Sequence, residues 1–176
     1  MAEAISLAKE LNDMYGLAVA LRIAADLARM ERNLADVERY SSDLIELSTR
    51  HHFALWIATG AVYRGWARSA SGETSDGISW IEDGTRNYRA TGAVLDMPNL
   101  LTLMAEALYL ANRTSEALEA LKEAEALAKR FDTAFGVPNC TGCAVCFSRL
   151  WVPTTRKLML HFRQPSTQQR GRSRCR

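Results

Sequence analysis

No stretch of this chain reaches the run of roughly 18 apolar residues that a membrane-spanning helix needs, so a membrane partner is not expected. The start, Met1-Ala2-Glu3-Ala4, lacks the basic residues and continuous apolar segment of a secretory signal, and a cytoplasmic protein is expected. No Gly-rich loop ending in Gly-Lys-Ser or Gly-Lys-Thr occurs, which leaves ATP hydrolysis without machinery here. Residues 133–176 contain no aspartate or glutamate, and residues 1–132 contain no cysteine and one proline, Pro98.

These absences divide the chain into two compositions. Residues 1–132 carry 14 Lys and Arg against 20 Asp and Glu, for a net −6; residues 133–176 carry 8 basic residues, for a net +8. The overall +2 therefore hides an acidic domain joined to a basic, cysteine-bearing tail. With 48% hydrophobic and 24% charged residues, the chain is ordinary for a globular protein with one sizeable core.

From Met14 to Asp132 the apolar periodicity predicts helices of roughly 16 to 18 residues separated by short breaks. Asn33, Ser71-Gly72, Gly92 with Asp96, and Thr114 mark the breaks. Asn, Asp and Thr can accept from the orphan N–H groups of a following first turn, and Gly tolerates a left-handed helix end. Pro98 falls in a first turn, where its missing N–H costs little.

An offset of 40 brings Ala25, Gly65 and Ala105 into register, and likewise Val37, Gly77 and Ala117. Members of each pair are 12 residues apart, one midway along a first helix and one near the start of a second. Small residues placed so let an antiparallel pair approach closely, since bulk there would push the axes beyond about 8–10 Å. The pattern resembles tetratricopeptide repeats, most fully in the third unit: Leu101, Met104, Ala105 and Leu108, then Ala117, Leu121 and Ala124. The period exceeds the standard repeat of about 34 residues and lies near the HEAT range. Arg64 and Arg68 depart from it, standing where apolar residues are expected; either that helix is rotated or the two side chains snorkel outward. Trp66-Ala67-Arg68 and Tyr88-Arg89-Ala90-Thr91-Gly92 resemble the helical arrays at the C-terminal end of large bacterial signalling ATPases.

The resemblance implies an all-α superhelix of about three helix pairs over residues 1–132, with residues 2–12 as a leading helix whose partner would precede them. It also implies a non-catalytic protein–protein interaction scaffold from a bacterial signalling or regulatory protein, in a family where such arrays follow ATPase, cyclase or LuxR-type regulator domains. No cofactor is expected, and the chain reads as a piece of something longer. First helices of such arrays line a concave groove. The alignment puts Val19, Arg22, Asp26 and Arg29, then Thr59, Val62 and Trp66, then Thr102, Glu106 and Tyr109 on that face. Arg22, Arg29, Trp66 and Tyr109 have the chemistry of a peptide groove, where aromatic anchors and arginines concentrate binding energy. The alternative is that Trp66 and Tyr109 pack between neighbouring helices.

Other clusters read plainly. His51-His52 would point in different directions on a helix, with no third metal ligand nearby. Glu116, Glu119, Glu123 and Glu125, interleaved with Lys122 and Lys129, form a solvated face. Cys140, Cys143 and Cys146 make a C-x2-C-x2-C run that resembles a ferredoxin-type cluster site, but the closing Cys-Pro after three more residues is missing. The arginines of residues 163–176 resemble a non-specific phosphate-binding arm, although nucleic acid is not expected as a partner.

The tail reads best as out of frame. Taking the last base of each codon with the first two of the next, residues 135–145 can spell Trp-Arg-Ala-Glu-Leu-His-Arg-Leu-Arg-Gly. That decamer resembles the first helix the array family places next. A reading-frame change between residues 130 and 135 is therefore expected, with a disordered or unrelated segment after it. An array stopped there would leave its last pair uncapped and prone to self-association.

Overall fold

The computed structural model describes residues 2–135, and of these the side chains through residue 130. The described residues form seven α-helices and no strand: α1 (Ala2–Glu10), α2 (Met14–Met30), α3 (Leu34–Arg50), α4 (Ala54–Ser71), α5 (Thr74–Ala90), α6 (Met97–Leu110) and α7 (Thr114–Phe135). This is an all-α fold of a leading helix and three helix pairs. None of these helices is long and apolar enough to cross a membrane.

The breaks repeat with a regularity finer than the sequence suggested. A residue with positive φ stands at positions 12, 32, 52, 72, 92 and 112, one every 20 residues: Asn12, Arg32, His52, Gly72, Gly92 and Asn112. After five of them the next amide reaches back five residues to a helix carbonyl, as in Asp13 N to Ala8 O at 2.9 Å and Arg113 N to Leu108 O at 2.9 Å. That closure satisfies orphan carbonyls and stops the helix in one step. Asp13 and Asn33 then cap the following helices, accepting from the amides of Gly16 and Asp36. Pro98 sits in the first turn of α6, as expected. His51 and His52 lie in a break and not on a helix, contrary to expectation, because the left-handed turn falls there; His51 stacks on Phe53 with centroids 5.7 Å apart.

Each helix packs on its neighbour in the chain, and the first helices α2, α4 and α6 also touch in succession. The close approach of α4 and α5 rests on glycine. A Cβ at Gly65 would stand 2.6 Å from the Gly77 carbonyl, and one at Gly84 would stand 2.8 Å from the Ala58 carbonyl. Seven residues down one helix match seven residues up the other, so the pair is antiparallel. All six small residues brought together by the 40-residue offset are buried. Arg64 and Arg68 are half-buried, and Arg68, whose Nε is enclosed, donates from Nη1 to Glu73 at 3.2 Å. Arg64 Nε donates to Glu38 at 2.7 Å, and both arginines lie over the Trp80 ring, at 4.6 Å and 5.3 Å.

Candidate functional site

The face formed by α2, α4 and α6 is filled by its own side chains. Arg22, midway along α2, donates from Nη2 to both carboxylate oxygens of Asp96 at 2.6 Å and 2.8 Å. Asp96 precedes α6 and makes no side-chain cap there, because its carboxylate is engaged across the face. Its backbone amide donates to the Tyr88 hydroxyl at 3.1 Å, which fixes the α5–α6 connection. Asn99 Nδ2 donates to the buried Tyr63 hydroxyl at 2.9 Å and to Asp96 at 3.3 Å. Arg29 donates from Nε to Asp26 at 3.0 Å, one turn back on the same helix.

A second cluster lies toward the C-terminal end of the same helices. Trp66 is 0% exposed, and its indole N–H donates to Glu106 at 2.9 Å. Arg32 pairs with the other oxygen of Glu106 and lies over the indole, 5.6 Å from the ring centroid. Arg22 to Asp96 and Arg32 to Glu106 are both separations of 74 residues, so α2 and α6 run parallel and meet across α4.

Trp66 is therefore not an accessible anchor, and its expected role is corrected: α4 is overlaid by arginine side chains from the α2 side, and a sealed indole offers nothing to a peptide. Arg22 and Arg29 come together with Asp26 near Tyr63, their side chains 13% and 12% exposed. Tyr109, near the end of α6, is 36% exposed. Thr59 and Thr102 are buried and donate to backbone carbonyls within their own helices.

Burial pushes the Asp96 carboxyl above its ordinary value, although the Arg22 guanidinium and the Asn99 amide pull it back. Burial likewise drives the Tyr63 phenol upward, aided by Asp26 and Asp96 and opposed by Arg22, so it stays protonated. The clusters are thus paired acids and bases, an arrangement that fixes helices relative to one another. Among the described residues, no three His, Cys, Asp or Glu side chains stand close enough to hold a metal. Cys140, Cys143, Cys146 and the basic segment 163–176 lie outside the described residues.

Sequence reasoning missed a second concavity. An open groove of about 490 Å³ runs between α5 and α7 with α6 as its floor. Met104 and Leu108 lie at its base, and Glu82, Arg86, Glu119 and Glu123 stand on its walls. The signal was present in the row of glutamates on α7, but a row of charge on one helix does not reveal the wall facing it. No protein family, curated protein or solved structure matches this chain.

Proposed function

We propose that residues 2–135 are a tetratricopeptide-like superhelical scaffold that holds protein or peptide segments and does no chemistry of its own. In this reading it serves a cytoplasmic bacterial signalling or regulatory protein, as arrays beside ATPase, cyclase or transcription-regulator domains do. The reading is supported most by an inequality between equivalent positions. Ile23 is 37% exposed, whereas Tyr63 and Leu103, at the same place in the next two units, are 0% and 1% exposed. Leu27 is 41% exposed, whereas Ala67 and Ala107 are 3% and 0% exposed. In the later units these positions are enclosed, and the first helix that carries them touches the preceding one. On α2 the same strip, extended by Met30, is open to a helix laid down as α2 is laid on α4.

The strip suits an amphipathic helix from another protein, from another domain of the same one, or from a second copy. The test is selection of displayed helical peptides on the protein, followed by binding of the enriched sequences to the wild type and to an Ile23→Glu, Leu27→Glu double variant. A related family of apolar-faced peptides is expected, binding about tenfold more weakly to the variant, a difference of roughly 1.4 kcal/mol. Failure to enrich any family, or binding that ignores the two substitutions, overturns the reading.

A further inference from the structure

The α5–α6–α7 groove has a counterpart one unit earlier, between α3 and α5 over α4, and the counterpart is full. Its occupants belong to the protein: Arg64 and Arg68 rise from the floor, Trp80 lies against both guanidiniums, and Glu38 receives Arg64. Forty residues on, Met104 and Leu108 replace the two arginines and Ala120 replaces the tryptophan. The plug is gone while the walls remain. Four carboxylates, Glu82, Glu116, Glu119 and Glu123, face Arg86 and Arg89, and Arg113 pairs with Glu116 at 2.5 Å and Glu82 at 3.9 Å, so one negative charge is left in excess along the groove. Arg89 bridges to Glu123 at 2.6 Å and Arg86 turns to Asp83 at 2.7 Å. Glu119 has no ion-pair partner among the described residues.

An independent observation points into the same groove. Thr85 lines it and is only 4% exposed, yet its hydroxyl has no hydrogen-bond partner among the described residues. Thr49, Thr59 and Thr102, within other helices, donate to the carbonyl four residues back, as Thr59 does to Leu55 at 2.9 Å and Thr102 to Pro98 at 2.9 Å. A buried polar atom left unsatisfied costs about 1–3 kcal/mol, so a donor or acceptor supplied from outside is favoured at this point.

We infer that the groove between α5 and α7 binds a basic peptide segment in which a bulky apolar side chain lies beside arginine or lysine. The apolar side chain takes the volume over Met104, Leu108 and Ala120. The cation meets Glu119, and a backbone group of the segment satisfies Thr85. The occupant thus restores from outside the arginine–tryptophan chemistry that fills the preceding groove from within. This inference rests on the scaffold reading but concerns a different face, so the Ile23 and Leu27 substitutions leave it unmoved and the groove substitutions leave the α2 strip unmoved.

The test uses the full chain and a fluorescein-labelled peptide, Gly-Arg-Ala-Trp-Ala-Arg-Gly, read by fluorescence anisotropy, with a control peptide carrying Glu for each Arg. Saturable binding of the first peptide and none of the second is expected, weakening as salt is raised because the contact is partly ionic. Ala120→Trp refills the groove as Trp80 fills its counterpart, and it should weaken binding at least about tenfold with the helical circular dichroism unchanged. Glu119→Lys, at an exposed position, should weaken it similarly and guards against Ala120→Trp failing to fold. Equal binding of both peptides, or binding by the two variants that matches the wild type, overturns the proposal. So does the absence of saturable binding by the wild type.

Discussion

Trp66 and Glu106 stand 40 residues apart and are joined by a 2.9 Å hydrogen bond from the indole to the carboxylate, which Arg32 then takes on its other oxygen. Residues from α4, from α6 and from the turn after α2 therefore meet at a single carboxylate. Removing the indole empties a site that is fully enclosed. Trp66→Ala is expected to lower the unfolding free energy by about 3–5 kcal/mol through the cavity it leaves. Glu106→Gln keeps the shape and an acceptor and loses only the charge, so its cost should be nearer about 1 kcal/mol. Urea titration followed by circular dichroism separates the two. Equal losses would show that packing around the ring contributes little.

Glycine is expected to be irreplaceable where α4 meets α5. Alanine favours an isolated helix over glycine by about 1 kcal/mol, yet a methyl at Gly65 would stand 2.6 Å from the backbone oxygen of Gly77. Backbone cannot yield as a side chain can, so Gly65→Ala should be a net loss of roughly 2 kcal/mol, within the range of overpacked cores. Thermal unfolding reads this directly. A raised Tm for Gly65→Ala would refute the close approach of the two helices.

His52 occupies a left-handed position, at φ 57°, that L side chains adopt at a cost. His52→Gly should therefore stabilise the fold by about 0.5–1 kcal/mol, while Gly92→Ala should destabilise it by a similar amount. Denaturation midpoints of the two variants should move in opposite directions. Movement in the same direction would contradict the repeated left-handed break.

Asp96 gives a pH signature. Its carboxyl is raised in the folded state, chiefly by burial, so the native protein holds that proton more tightly than the unfolded chain. The contribution is therefore fully present below the ordinary carboxyl value of about 3.9 and is lost as pH rises through the raised value. In Asp96→Asn that loss disappears. The stability of the wild type relative to Asp96→Asn should fall as pH is raised from about 4 toward neutrality. A flat difference across that interval would mean that burial does not dominate at this carboxylate.

Much of the helix pattern was legible because it is local. Asn33, Gly72 and Gly92 announce breaks by residue type, and the paired small residues at 25, 65 and 105 announce close crossings. The 20-residue spacing was hidden because Arg32 and His52 fill left-handed positions without being turn formers; the closing hydrogen bonds of the chain impose that conformation on them. The fate of Trp66 was not legible either. Its enclosure depends on Arg32 and Glu106, which reach it from the turn after α2 and from α6, and the 74-residue separation of those partners leaves no trace in any periodicity. The open groove follows from Trp80 becoming Ala120 one unit later, a substitution that has meaning only once the 40-residue register assigns them the same place.

The ion pairs between the first and third units carry one more consequence. Stacked modules that touch only their immediate neighbours can fray from either end, each loss leaving the rest intact. Here Arg22 on α2 and Asp96 just before α6 join the first and third units directly, so parting either of those units from the second must also break that pair. Pulled by its ends, such a molecule should give way in a single snap and not unwind link by link.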